Sequence, residues 1–128
     1  MSEWIWIDPE AVEAIHDRQL AEHGGPSGVR DRGALQSALA RARNLDSYGT
    51  PDAADLAAAH AFGIVRNHPF VDGNKRTGWI LARLFLALNG VQIEFDQADA
   101  VRTMVALAAG DIAEAELAGW LRDRVRSS

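Results

Sequence analysis

The densest concentration of reactive side chains is the run HPFVDGNKRTG at residues 68–78. Within it, His68, Asp72, Lys75 and Arg76 bring an imidazole, a carboxylate and two cations close together in the chain. Asp72, Gly73 and Asn74 are residue types that tolerate tight or left-handed backbone, so the segment can turn successive N–H groups inward. The residues that follow open an apolar helix, whose first N–H groups lack intrahelical acceptors and whose positive dipole end attracts anions. Turn and helix start together make an anion cradle. Lys75 and Arg76 stand at its mouth, and Arg76 can grip a phosphate through two parallel hydrogen bonds. Asp72 is a hard oxygen ligand beside that anion, suited to Mg²⁺ shared with substrate phosphates. An imidazole, which titrates in water near about pH 6.5, can accept a hydroxyl proton at neutral pH, and His68 supplies one. Base, metal ligand and cradle at this spacing point to phosphoryl or nucleotidyl transfer to a hydroxyl.

Each part also has a plainer reading. His-Pro before a turn is an ordinary helix connection, Asp-Gly-Asn is a common turn, and Lys-Arg at a helix start is usually solvated. Cations at the positive end of a helix are nevertheless unfavourable unless an anion sits there. Other motifs fail. The P-loop pattern needs Gly followed directly by Lys, whereas Asn74 separates Gly73 from Lys75 here. No H-E-x-x-H run occurs, and His16, His23 and His60 read as surface or core histidines.

The elements that must position this run are helices. Twenty-three residues are Ala, against 18 Val, Ile and Thr together, and Ala is the best helix former. Asp8-Pro9 and Gly24-Gly25 bracket a helix over 9–23. Asp31 caps a second through about Arg43, and Thr50-Pro51 starts a third that stops near Asn67, because a residue before proline is pushed out of the helical region. From Lys75 to Asn89 apolar residues occur nearly all round the helix, which marks it as the central one. Val91, Ile93 and Phe95 alternate with polar residues, as do residues 4–7 weakly, a pattern that would allow a small two-stranded ribbon between them. Helices over 96–109 and 113–126 complete six, with Arg122, Arg124 and Arg126 read as a solvated C-terminal turn.

At 128 residues the chain is expected to be one all-α domain with a real core; 48% of its residues are apolar. It has no Cys, which removes disulfides, thiolate metal sites and a cysteine nucleophile. The start of the chain carries acids and no basic stretch, which disfavours a secretory leader, and no apolar run approaches membrane-spanning length. A cytoplasmic protein without membrane partners is expected. The formal net charge is −5, all of it carried by residues 1–25, while the window 66–76 is locally basic. This balance disfavours direct nucleic-acid binding and leaves room for a local anion site.

HPFVDGNKRTG resembles the signature of Fic/Doc proteins, H-x-F-x-[D/E/A]-[G/A]-N-x-R, and Lys after Asn resembles the death-on-curing (Doc) toxin branch. HGGPSGVRDRGALQSALARARN at 23–44 and NGVQIEFDQADA at 89–100 are similar to Doc-type toxins as well. The resemblance implies an all-helical Fic fold and a toxin-antitoxin role. It implies His68 as general base, Asp72 as Mg²⁺ ligand, Asn74, Lys75 and Arg76 as phosphate holders, Gly73 as the residue that keeps the backbone close to the phosphates, and Phe70 as an apolar pin. Fic AMP-transferases carry Gly after the motif Asn and a second Arg three residues after the first; here those positions are Lys75 and Trp79. Doc-type members share that departure and resemble kinases that present the γ-phosphate of ATP to a target hydroxyl. The implied activity is ATP-dependent phosphorylation of a threonine of elongation factor Tu, halting translation; AMP transfer and a catalytically silent binding module are the alternatives. The chain has no [S/T]-x-x-x-E-[G/N] run, so inhibition is expected from a separate Phd-like antitoxin. The loop from Asn44 to Pro51, with Tyr48, lies where family members place a target-docking flap, although it also reads as a simple connection.

Overall fold

A computed structural model of the chain describes residues 4–126. Six helices follow in order: α1 (Pro9–His23), α2 (Arg32–Tyr48), α3 (Ala53–Asn67), α4 (Asn74–Leu88), α5 (Gln97–Ala109) and α6 (Glu114–Asp123). The protein is all-α. Asp8, Asp31, Asp52 and Asp96 each accept a backbone N–H at the start of their helix, so short acidic side chains fix four of the six starts. No helix among the described residues is long and apolar enough to cross a membrane.

The core centres on α3 and α4 together. Ten of the fifteen residues of α3 are buried, and five of those are Ala. Small side chains let α2, α4, α5 and α6 all pack against α3. Gly63 marks the closest approach: a Cβ there would fall 2.8 Å from the Ala38 carbonyl oxygen of α2. The apolar pattern of 75–89 predicts α4 as the single central helix. Its periphery keeps Lys75, Arg76 and Arg83 exposed, whereas the Ala-rich α3 is surrounded more completely. The reason is that counting large apolar residues undervalues alanine, whose small volume is what admits neighbours on every side.

Three local expectations are corrected. Helix α2 runs five residues past Arg43, because no breaker precedes Gly49, and it absorbs most of the proposed flap; only a short turn before α3 remains, beside Tyr48, which is 91% exposed. The ribbon between 4–7 and 91–95 does not form. Ile93 instead bridges Val125, with Glu94 N–H donating to the Arg124 carbonyl at 2.9 Å and Arg126 N–H to the Gln92 carbonyl at 2.7 Å. The C-terminal arginines are paired: Arg122 bonds Asp52 and Asp55, Arg124 bonds Asp99 and lies 3.9 Å over the Trp120 ring, and Arg126 meets Glu94.

Candidate active site

The run 68–76 is the connection between the two core helices. His68 ends α3 in the left-handed region at φ 52°, ψ 52°, the only non-glycine residue with positive φ among those described. Pro69 excludes the right-handed helical conformation for the residue before it. Two contacts then hold His68 in the strained alternative: Arg30 donates from Nε to the His68 carbonyl at 2.8 Å and from Nη2 at 2.5 Å. The segment 28–31 also pairs with the loop through its backbone, with Arg30 N–H to the Pro69 carbonyl at 2.7 Å and Val71 N–H to the Gly28 carbonyl at 3.1 Å. Strain in a buttressed loop is a feature of functional sites.

The other face of the loop rests on α1. Phe70 is fully buried, and the His16 ring stacks on it at 3.7 Å with only 8° between the planes. His16 is itself buried, and its Nε2 lies 2.7 Å from the Asp72 carbonyl oxygen. A carbonyl only accepts, so Nε2 carries the hydrogen.

Asn74 opens α4 from inside the core. Its Oδ1 accepts the Phe70 N–H at 3.1 Å, and its Nδ2 donates to the Phe70 carbonyl at 3.0 Å and approaches His68 Nδ1 at 3.1 Å. The side chain thus has both its hydrogens engaged within the loop, which it staples while orienting the imidazole, and its backbone N–H is the group left for a ligand at the helix start. Because an amide nitrogen donates, His68 Nδ1 accepts, and a neutral His68 carries its hydrogen on Nε2.

Asp72, Lys75 and Arg76 are exposed, and Gly73 caps α4 at φ 79° with no side-chain bond. Asp72 Oδ1 accepts the Gly73 N–H at 2.8 Å. The first turn of α4 contains no acidic residue, and neither Lys75 nor Arg76 forms an ion pair among the described residues. The N–H groups that open this helix and two cations without ion-pair partners among the described residues therefore meet at one place, where negative charge would be favoured. Lys75 and Arg76 also line a cleft of about 410 Å³ with Trp79, Ile80, Met104 and Val105. A larger open depression of about 1,270 Å³ lies elsewhere, between α2, α3 and the α5–α6 turn. Trp79 is a core residue, edge-on to Phe95 at 5.1 Å and to Trp120 at 5.8 Å.

Sequence reasoning missed His16 and Arg30. Neither lies in the run, and nothing in their spacing places them against it; Arg30 does fall within the 23–44 segment whose likeness to Doc-type toxins is visible in the sequence.

The chain is thus an all-helical protein with an imidazole, a carboxylate and two cations carried on the loop and first turn that open its core helix α4. The sequence profile of the Fic/DOC family matches residues 6–86, and the chain belongs to that family. It is similar to the protein kinase doc of Escherichia phage P1, 34% identical over 117 residues that cover 91% of this chain and 92% of that protein. It is also similar to toxin Doc of Mycolicibacterium smegmatis, 42% identical over 107 aligned residues that cover 76% of this chain and 81% of the relative. Within the family the chain groups with the Doc branch.

Proposed function

We propose that this protein is a Doc-type toxin that transfers the γ-phosphate of ATP to a hydroxyl of a partner protein, the acceptor suggested by family resemblance being a threonine of elongation factor Tu. The observation that carries the reading is the start of α4, where Lys75 and Arg76 are left without acidic partners beside the imidazole of His68. The phage P1 relative is named as a protein kinase, which supports phosphoryl rather than nucleotidyl transfer.

In this reading the hydroxyl oxygen bonds to the γ-phosphorus, the bond from that phosphorus to the β-bridging oxygen breaks, and ADP leaves. His68 takes the hydroxyl proton. Its Nδ1 accepts from Asn74, so a neutral ring must first move its hydrogen from Nε2 to Nδ1. The ring is exposed and exchanges with water; the cost is the Asn74 bond, about 1 kcal/mol. Arg76, Lys75 and the backbone N–H groups of residues 74–76 hold phosphate oxygens, and Gly73 admits them to the backbone.

Asp72 fits a Mg²⁺ site of limited kind. Its exposed carboxylate spends Oδ1 on Gly73, and no group of three or more His, Cys, Asp or Glu among the described residues could hold a metal ion. A hard cation held by one carboxylate, phosphate oxygens and water suits that donor set. When bound, such an ion neutralises charge on the transferred phosphoryl group.

The reading also includes a separate Phd-like antitoxin as restraint, a cytoplasmic setting and inhibition of translation. Given ATP labelled separately at the α and γ positions together with elongation factor Tu, the protein should transfer only γ label. Transfer of α label would make it an AMP-transferase, and transfer of neither by a folded sample would favour a silent module or a different acceptor.

A further inference from the structure

We infer that α1 and the glycine turn that closes it form a platform that aims the Asp72 carboxylate, with His16 and Gly25 as positioning residues; this rests on the reading of Asp72 as the Mg²⁺ ligand. Three contacts converge on that residue. Its carbonyl accepts from His16 Nε2 at 2.7 Å, and its Oδ1 accepts the Gly73 N–H at 2.8 Å. Its Oδ2 lies against Gly25, where a Cβ would fall 2.5 Å from that oxygen and 3.4 Å from Cγ. Leu20 of α1 fills the space beneath, its Cδ2 being 3.5 Å from the same Cβ position and 3.8 Å from the one at Gly73.

Two features separate this arrangement from ordinary packing. His16 is 1% exposed, and a buried imidazole costs free energy unless it is hydrogen-bonded. A residue needed only to fill that volume has no use for a nitrogen, yet the one on this ring is aimed at the backbone of the loop. Gly25 sits at φ 120°, so an L side chain is strained there, and the missing Cβ is also what gives Oδ2 its place. A carboxylate free to rotate loses orientation entropy when it takes a cation. One fixed at its carbonyl, at one oxygen and at the wall beside the other is organised in advance. Groups that orient a metal ligand in this way typically change metal affinity or activity by about 10- to 100-fold when removed.

The test uses the full chain. His16→Phe keeps a ring to stack on Phe70 and removes the donor. His16→Gln keeps an N–H the same number of bonds from Cα and removes the stack. Gly25→Ala presses a methyl group on Oδ2; Gly24→Ala adds comparable positive-φ strain at φ 78° where a Cβ meets nothing within 4 Å. Calorimetry with a non-hydrolysable ATP analogue, with and without Mg²⁺, reads the site without turnover. His16→Phe and Gly25→Ala should raise the Mg²⁺ requirement by roughly tenfold or more, with metal-free analogue binding little changed. His16→Gln and Gly24→Ala should stay near the native values. Amide hydrogen exchange at residues 71–74 should speed up in His16→Phe while the centre of α3 keeps its protection, a readout that remains if activity is lost.

The inference is overturned if Gly25→Ala behaves like Gly24→Ala, or if His16→Gln falls as far as His16→Phe. Asp72→Asn separates the two layers. If it leaves the Mg²⁺ requirement unchanged, Asp72 is not the ligand; if it abolishes Mg²⁺ dependence while the platform variants leave it intact, the platform fails and the ligand assignment stands.

Discussion

At the start of α3, Asp52 accepts the Asp55 N–H at 2.8 Å, Asp55 returns a bond to the Asp52 N–H at 3.0 Å, and Arg122 of α6 closes over both carboxylates. At the start of α4, Gly73 caps without a side chain, and Lys75 and Arg76 stand in the first turn without acidic partners among the described residues. Both places expose unpaired N–H groups and the positive end of a dipole. In the first the chain supplies its own anions and then pairs them, gaining a capping box and a clamp between α3 and α6. In the second it adds positive charge to positive charge and leaves compensation to something from outside. Stability is assembled at one helix start and withheld at the other, which is what the proposed phosphate site at α4 requires.

The largest expected effect tests the chemistry attributed to the second site. His68→Ala should lower phosphoryl transfer by about 10²- to 10⁴-fold and remove growth arrest on expression, because a positioned base contributes on that scale. Thermal unfolding should be nearly unchanged, since the ring is exposed. Persistent growth arrest by that variant would mean that His68 is not the base.

Lys75→Glu addresses the comparison directly by giving α4 the acid that α3 has. Nucleotide affinity should drop by about tenfold or more, while stability should rise by a few tenths up to about 1 kcal/mol from the dipole alone. Phosphate should raise the melting temperature of the native protein more than that of the variant. A variant that is both less stable and as good a nucleotide binder would break the comparison.

Arg122→Ala should unfasten the other helix start. The pair is about half exposed, so screening limits the loss to about 0.5 to 1 kcal/mol. The hydrogen-bonded Arg122 guanidinium holds the Asp52 carboxyl down to about 2. A depressed carboxylate contributes stability that is present above its unfolded pKa, near about 4, and is lost as pH falls through the folded value. Unfolding curves between pH 5 and pH 2 should therefore show a steeper acid loss in the native protein than in the variant.

The smallest effect concerns Thr77, whose buried Oγ1 has no hydrogen-bond partner among the described residues. Thr77→Val keeps the shape and removes an unsatisfied group, so stability should hold or rise by up to about 1 kcal/mol. A clear loss by denaturant titration would reveal a partner for that hydroxyl in solution.

The boundaries of α1 and α5 and the start of α2 are legible because Asp-Pro, Asp and Gly act locally, through caps and left-handed turns, whatever the rest of the chain does. The same holds for the site's inventory: His68, Asp72, Lys75 and Arg76 lie within one short run. The far end of α2 was missed because nothing stops the helix at Arg43 except the absence of a strong apolar stripe, and packing against α3 supplies what pattern does not. The ribbon raised from the sequence does not form, because alternation says only that a segment can pair and not with what; Ile93 bridges Val125 instead. His60, read as a surface or core histidine, is of the core kind: burial among Trp6 and Phe85 lowers its pKa from the usual value, while its Nδ1 bonds the Leu56 carbonyl at 2.7 Å.

The sequence by itself determined that this protein is helical, that its densest cluster of reactive side chains lies in one basic loop and that the loop sits at a helix start, because composition, capping residues and short-range spacing are local properties. Tertiary structure decided how the loop is held. His16 and Arg30, distant in the chain, grip it from two sides, and burial engages the Asn74 side chain as a staple within the loop. Orientation of a side chain is fixed by whatever packs against it, and those neighbours are chosen by the fold.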